Sequence, residues 1–287
     1  MIKTLDTFAG IGGFSLAAEI VNRRRGWRVF ETVGFIENEK YCQGVLKSHW
    51  KDVPIHGDIR TATTRAFPGG VDLVTGGFPC TDLSQAGKKA GIRGSESGLF
   101  FEFLRLWDEF SDLQVRPPVI LLENVANLLH GEGDNARIVF GELASRGLSI
   151  EWKVLSAESV GAPHLRERVF IIAFMEDPNS HIERLQGGAE DRIFGKSRKK
   201  FEEQPERLCE RKEWGNWATQ SELGPLVDGL PARLVAGQIW DHEPEGVPRV
   251  AHGVKGRVPA LKAIGNAIVP EVATIPLMRV AEILGEI

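Results

Sequence analysis

Residues 2–14 read Ile2-Lys3-Thr4-Leu5-Asp6-Thr7-Phe8-Ala9-Gly10-Ile11-Gly12-Gly13-Phe14, and this junction decides the fold. Residues 2–6 form an apolar run of the length of a buried strand. Gly10, Gly12 and Gly13 follow, and then Phe14, Leu16, Ala17, Ile20 and Val21 recur at helical spacing. A strand that passes through glycines into a helix is the opening unit of a doubly wound α/β sheet. Glycines let the backbone approach a ligand closely, and amides left open at a helix start attract a carboxylate or phosphate. The expected occupant is a nucleotide-like cofactor. Ser15 stands where a dinucleotide fingerprint has its third glycine, so the pyrophosphate version is matched incompletely and a methionine carboxylate fits as well.

Outward from that junction, strand and helix patterns alternate through about residue 175. Strands are expected at 29–36, 55–59, 71–75 and 119–122, with helices at 39–50, 98–112 and 134–146. Residues 150–155 and 169–174 read as a closing antiparallel pair. The expected fold is therefore a mostly parallel, doubly wound sheet. From about residue 176 the pattern gives way to Pro178, Gly187, Gly188, Gly195 and a mixed charge run that includes Arg192, Lys196, Arg198, Lys199 and Lys200. A solvated helix or loop is the plain reading of such a run. Regular patterning returns after Arg257 and ends in an amphipathic helix expected to rejoin the first unit. The predicted organisation is one domain of residues 1–175 plus 257–287 and a second of residues 176–256.

The chain has 287 residues, 42% hydrophobic and 26% charged, which suits a globular protein with a large domain and a smaller one. Cys42, Cys80 and Cys209 are too few and too scattered for a disulfide framework or a zinc site. No signal-like start or membrane-length apolar run is present in the sequence. The expectation is a cytoplasmic protein without membrane attachment. A net charge of -4 does not by itself point to nucleic acid, so charge has to be read locally.

Residues with chemistry cluster behind the predicted strands, where open α/β sheets place ligands. Glu37 and Asn38 close the second strand, where an acid can hold ribose hydroxyls. Asp58 closes the third, where it can accept from an adenine amino group. Each is equally readable, taken singly, as a helix cap or turn residue. Gly76-Gly77-Phe78-Pro79-Cys80 follows strand four. A cysteine in a rigid turn beside a helix start suits a nucleophile, although most lone cysteines are packing residues. Glu123-Asn124-Val125 follows strand five, where desolvation can turn a carboxyl into a proton donor. Arg166-Glu167-Arg168 precedes the last strand and can hold a carbonyl oxygen or phosphate, or be surface charge.

Six blocks occur in order: residues 6–14, Gly-Phe-Pro-Cys at 77–80, Ser-Gly-Leu-Phe-Phe-Glu at 97–102, Glu-Asn-Val at 123–125, Arg-Glu-Arg-Val-Phe-Ile at 166–171, and Gly-Asn-Ala-Ile-Val-Pro at 265–270. Together they resemble the motifs of the DNA (cytosine-5) methyltransferases of bacterial or phage type. The resemblance covers residues 4–175 and 257–284. It implies methyl transfer from S-adenosylmethionine to carbon 5 of a flipped cytosine in double-stranded DNA, without a metal. Cys80 would be the nucleophile, Glu123 the group at ring nitrogen 3, and Arg168 the ligand of the ring oxygen, with Arg166 and Ser84 beside them. The cofactor would lie against Phe8, Gly10, Gly12, Glu37, Asn38, Asp58, Ile59, Pro79, Leu99, Asn266 and Ile268. The unmatched middle would be the target-recognition domain. A monomer and a cognate restriction endonuclease complete the expectations for partners.

Several positions depart from the family pattern. Thr81 and His164 stand where glutamines are usual, Glu96 replaces a frequent arginine, and the ninth motif is not recognisable around residues 226–234. Transfer of a different group to cytosine, or an RNA substrate, are the alternatives. The Cys-Phe-Thr element of the tRNA-modifying branch is absent. A nicotinamide oxidoreductase would explain the glycine turn but not the Pro-Cys, Glu-Asn-Val and Arg-x-Arg elements together.

Overall fold

The β-branched and apolar runs of the N-terminal half pair with one another in register, and their alternation assigns side chains to two faces. The computed structural model describes residues 1–79, 98–113, 118–130, 135–162, 164–176 and 257–287. The strands are β1 (Ile2–Thr7), β2 (Phe30–Ile36), β3 (Ile55–His56), β4 (Leu73–Gly76), β5 (Val119–Val125), β6 (Ser149–Leu155) and β7 (Arg168–Phe174). They form one sheet in the order β3-β2-β1-β4-β5-β7-β6. All neighbours are parallel except β7, which runs antiparallel to both β5 and β6. The fold is the doubly wound one that the glycine junction predicts.

Along β4, β5 and β7 successive residues face opposite sides. Val74, Ile120, Leu122, Val169 and Ile171 point to one layer, filled by Phe100, Phe103, Leu104, Trp107 and Phe110 of α3 (Leu99–Leu113) and by Val139 and Leu143 of α4 (Asn135–Ser145). Leu73, Val119, Leu121, Phe170 and Ile172 point to the other. That layer holds α1 (Gly13–Arg25) and α6 (Pro270–Ile283), through Phe14, Ala17, Val21, Leu277 and Val280. The C-terminal helix thus does rejoin the first unit. It follows α5 (Arg257–Asn266), which packs near α2 (Lys40–His49). A smaller cluster of Ala9, Phe35 and Leu46 lies under α2.

Three local expectations are corrected. The third strand ends at His56, because residues 58–62 fold into a turn in which the Asp58 carbonyl accepts from the Thr61 and Ala62 amides. β5 continues to Val125, since Glu123, Asn124 and Val125 pair with Phe170, Val169 and Arg168 of β7. Leu16 is 39% exposed and Ser15 is buried in its place, so the inner face of α1 is rotated from the purely apolar one. Among the described residues no single helix is long and apolar enough to cross a membrane. Residues 80–97 and 177–256, which carry Cys80, Thr81, Ser84, Glu96 and nearly all of the expected second domain, lie outside the described residues.

The strand order fixes where a ligand can go. β1 has β2 on one side and β4 on the other, so the chain leaves β1 in one direction and returns in the other. A crevice opens at the carboxyl ends of such a pair. Thr7 and Gly76 are register partners, and the Thr7 hydroxyl donates to the Thr75 carbonyl at 2.7 Å. The glycine turn after β1 and the Gly-Phe-Pro turn after β4 therefore stand side by side.

Candidate active site

The turn after β1 is built on left-handed backbone. Phe8, Gly10 and Gly12 have φ of 51°, 54° and 85°. A Cβ on Gly12 would lie 2.6 Å from the Trp50 ring, which the Trp50 indole NH fixes by donating to Glu19 at 2.6 Å. A Cβ on Gly10 would meet nothing within 4 Å, so that residue borders open space. Helix α1 has no acidic residue in its first turn and no cap from its own N-cap residue; the Asp6 carboxyl accepts from the first-turn Ser15 amide at 3.3 Å, which leaves the amides of Gly13 and Phe14 at its positive end.

Glu37, directly after β2, is buried and faces the same turn. Its Oε2 accepts from the Gly10 amide and its Oε1 from the Glu39 amide, both at 2.7 Å. Burial raises its proton affinity and those amides oppose the rise. The Asn38 amide also faces the carboxylate, which leaves one of its roughly four lone-pair sites for a hydroxyl donor. Asn38 next to it is exposed. Asp58 is chelated by Arg60, at 3.0 Å from Nε and 2.7 Å from Nη2, which holds its carboxyl below the usual range. Ile59 is buried, while Pro79 and Leu99 are half-buried. Asn266 is exposed at the end of α5, and Ile268 sits with its Cβ 3.0 Å from a Cβ placed on Gly13.

A second group gathers at β5 and β7. Arg168, the first residue of β7, donates from Nε to Glu123 Oε1 at 3.0 Å. The Glu123 side chain is 12% exposed. Burial pushes its pKa up, while Arg168 and Arg166 pull it down. Its Oε2 lies 3.4 Å from a Cβ placed on Gly77, and Ile268 Cδ1 is 4.0 Å from the same point. Gly77 thus brings the turn that leads to Cys80 against the carboxyl, and Ile268 touches both turns. Asn124 locks the arrangement by donating to the Phe78 carbonyl at 3.2 Å. Arg166, at φ 22°, places Nη2 2.8 Å from the carbonyls of Gly265 and Ala267. It spans from β7 to the joint between α5 and α6. His164 is buried nearby at 4% exposure.

The structure therefore brings Gly10, Gly12, Glu37 and Ile268 to one side of the crevice and Glu123, Arg166 and Arg168 to the other. Sequence reasoning missed the buried hub beneath them. Asp6 Oδ2 accepts from the Ser15 hydroxyl at 2.8 Å and from the Ser15 amide at 3.3 Å, and Oδ1 accepts from the Thr75 hydroxyl at 2.8 Å. Ser15, read as a gap in a glycine fingerprint, is thus the partner of Asp6; that gap was the available signal. Cys42 is buried and burial pushes its thiol up to about 11, which makes it a poor nucleophile. Among the described residues no group of three or more His, Cys, Asp or Glu is placed to hold a metal.

A family described as C-5 cytosine-specific DNA methylase matches residues 2–223. The chain is 34% identical over 179 residues to the type II methyltransferase M.HhaI of Haemophilus parahaemolyticus, a match covering 62% of this chain and 50% of that protein. It is 34% identical over 176 residues to M.CviJI of Paramecium bursaria Chlorella virus IL3A, covering 61% of this chain and 44% of that protein. The chain spans about half the length of these curated relatives. In three dimensions it is similar to the Dnmt2 methyltransferase of S. pombe, with a TM-score of 0.60, 18% identity and 99% of each chain covered. The methyltransferase EhMeth of Entamoeba histolytica gives a TM-score of 0.59 at 11% identity, over 99% of each chain. These two likenesses bear on the fold.

Proposed function

The chain belongs to the C-5 cytosine-specific DNA methylase family, and from that premise we propose that it methylates carbon 5 of a cytosine in double-stranded DNA. The observation that carries this reading is the buried Glu123–Arg168 pair set against Gly77, three residues before Cys80. S-adenosylmethionine is the proposed cofactor and supplies an electrophilic methyl group when bound. The open backbone at Gly10, the first amides of α1 and the Glu37 carboxylate suit its amino-acid and ribose parts. Phe8, Gly12, Asn38, Asp58, Ile59, Pro79, Leu99, Asn266 and Ile268 are the proposed remainder of its pocket.

Carbon 5 of cytosine is a weak nucleophile. Attack of the Cys80 thiolate on carbon 6 forms a carbon–sulfur bond and moves electron density through the ring towards carbon 5 and nitrogen 3. Glu123 suits the proton transfer to nitrogen 3, because burial favours its neutral form at higher pH than an exposed glutamate. Arg168 holds that carboxyl by Nε and offers positive charge to the oxygen at carbon 2. Methyl transfer to carbon 5 leaves the thioether S-adenosylhomocysteine. Water then takes the carbon 5 proton, Cys80 departs from carbon 6 as thiolate, and nitrogen 3 returns its proton to Glu123, which restores the aromatic ring. Arg166 contributes by holding the backbone at Gly265 and Ala267.

A cytosine stacked in a duplex cannot reach a crevice at a sheet edge, so the base is taken out of the helix at a cost of a few kcal/mol. Residues 176–256 are the proposed target-recognition domain, with the rest of the chain the catalytic one. A monomer in the cytoplasm and a cognate restriction endonuclease belong to the same proposal. Mass spectrometry of nucleosides from DNA and RNA of cells expressing the protein, with and without Cys80→Ser, tests it. The expected result is 5-methylcytosine in DNA that disappears with the substitution. Modification confined to RNA, a different mass added to cytosine, or no product with the intact protein would overturn it.

A further inference from the structure

Arg105, in the second turn of α3, reaches out of its helix to the turn that follows β3. Its Nη2 donates to the carbonyls of Ile59 at 2.7 Å and Ala62 at 3.0 Å. Nε donates to Glu102 at 2.8 Å and Nη1 to Glu109. The Glu109 carboxylate also receives the Thr64 amide at 3.4 Å, beyond the same turn. One guanidinium thus ties two backbone carbonyls to two carboxylates of its own helix. The turn it grips, residues 58–62, carries the half-buried Asp58 and the buried Ile59. Within the turn, Arg60 fixes Asp58, and the Thr61 hydroxyl donates to the Asp58 carbonyl at 3.1 Å. The internal bonds set the turn's shape, and Arg105 sets its distance from α3.

We propose that Arg105 is a positioning residue for the adenine end of the cofactor, acting through the Asp58–Ile59 turn. This rests on the cofactor reading given above and adds a residue to it. The same helix begins at Leu99 and stacks Phe100 on Phe78 at 5.1 Å between ring centroids, two residues before Cys80. α3 is therefore the common support of the adenine wall and of the turn that precedes the nucleophile. Arginine is required for the grip because its donors diverge in a plane, whereas a lysine presents its three from one point. Arg105→Lys keeps the charge and the helix but cannot span both carbonyls and both carboxylates.

Calorimetric titration with S-adenosylhomocysteine and with its inosine counterpart, in which oxygen replaces the 6-amino group, tests the proposal. The intact protein should prefer the adenine form by roughly tenfold or more, the value of one hydrogen bond to a charged group. In Arg105→Lys that preference should shrink to about twofold, with the melting temperature within a few degrees of the parent. Glu102→Gln, which removes only the charge beside Nε, should give an intermediate preference and serves if Arg105→Lys fails to fold. An unchanged preference in a folded variant overturns the role of Arg105. Equal binding of the two ligands by the intact protein overturns the adenine contact itself, and no binding of either overturns the cofactor reading.

Discussion

Two carboxyl groups lie buried at the same edge of the sheet, one at the end of β1 and one in β5, and they are solvated in opposite ways. Asp6 is met by three neutral donors from two elements: the Ser15 hydroxyl and amide on α1 and the Thr75 hydroxyl on β4. Burial pushes it up to about 6, and those donors oppose the rise. Glu123 meets a guanidinium at one oxygen and the backbone of Gly77 at the other. Fixed dipoles on every side make a carboxyl a staple between elements. A guanidinium on one side only, with no hydrogen-bond donor at the second oxygen among the described residues, suits a group that exchanges a proton. Asp6 thus ties β1 to α1 and β4 at one end of the crevice, and Glu123 at the other is the group proposed to act on the base.

The comparison breaks most decisively at Glu123. Glu123→Gln should lower the single-turnover rate of methyl transfer by roughly 10²–10⁴-fold, the usual worth of a positioned acid, while leaving S-adenosylhomocysteine affinity unchanged. Equal loss in rate and affinity would mean that Glu123 only supports the fold. The pH profile sharpens the point. Transfer needs the protonated carboxyl, so the rate should fall as pH rises through its elevated pKa; since Arg168 pulls that pKa down, Arg168→Gln should move the fall to higher pH as well as slow the reaction.

Asp6→Asn should instead cost about 1–3 kcal/mol of stability, read by urea unfolding, because an amide NH₂ then faces the Ser15 or Thr75 donors. The pH dependence has a definite sign. The folded-state value of about 6 lies above the ordinary 3.8, so between those values the folded chain holds a proton that the unfolded chain releases. Stability from this group is therefore present at low pH and lost as pH rises through about 6. The penalty of Asp6→Asn should be about 1 kcal/mol larger at pH 5 than at pH 8. A pH-independent penalty would count against a titrating Asp6. Gly12→Ala, which needs φ of 85° and puts a Cβ 2.6 Å from Trp50, should lose a comparable amount, about 1–3 kcal/mol, with weaker cofactor binding. Removing the exposed Arg24–Glu271 pair between α1 and α6 by Arg24→Ala should change stability by less than about 1 kcal/mol.

Sequence reading served the two carboxylates unequally. Glu123 was legible because it stands in a motif behind an apolar run, and a short run of β-branched residues signals a strand wherever it occurs. Its place inside β5 was not, since the strand's extension depends on antiparallel pairing with β7, which local periodicity does not encode. Asp6 was visible only as the last residue of a strand. Its role requires knowing that β1 and β4 are neighbours and that Thr75 is its register partner. The short β3 was misjudged for a similar reason: residues 55–59 read as a strand with a polar end, but the turn from Asp58 to Ala62 is held from outside by Arg105, 46 residues from Ile59 and 43 from Ala62. The roles of Cys80 and of residues 176–256 rest on sequence, as Cys80 and residues 177–256 lie outside the described ones.

The joint between α5 and α6 has a consequence for the order of events in synthesis. Ile268 supplies the contact that closes Gly13 and Gly77 together, and Arg166 grips Ala267 across 101 residues of chain. α6 also covers the apolar face of α1, which is made first. A nascent chain can pair β1 to β7 on the ribosome, yet the side of α1 that meets α6 stays uncovered until residues 270–283 emerge. The Ile268 contact to Gly13 and Gly77 is therefore made late, and shorter nascent chains leave apolar surface of α1 exposed to aggregation or chaperone binding.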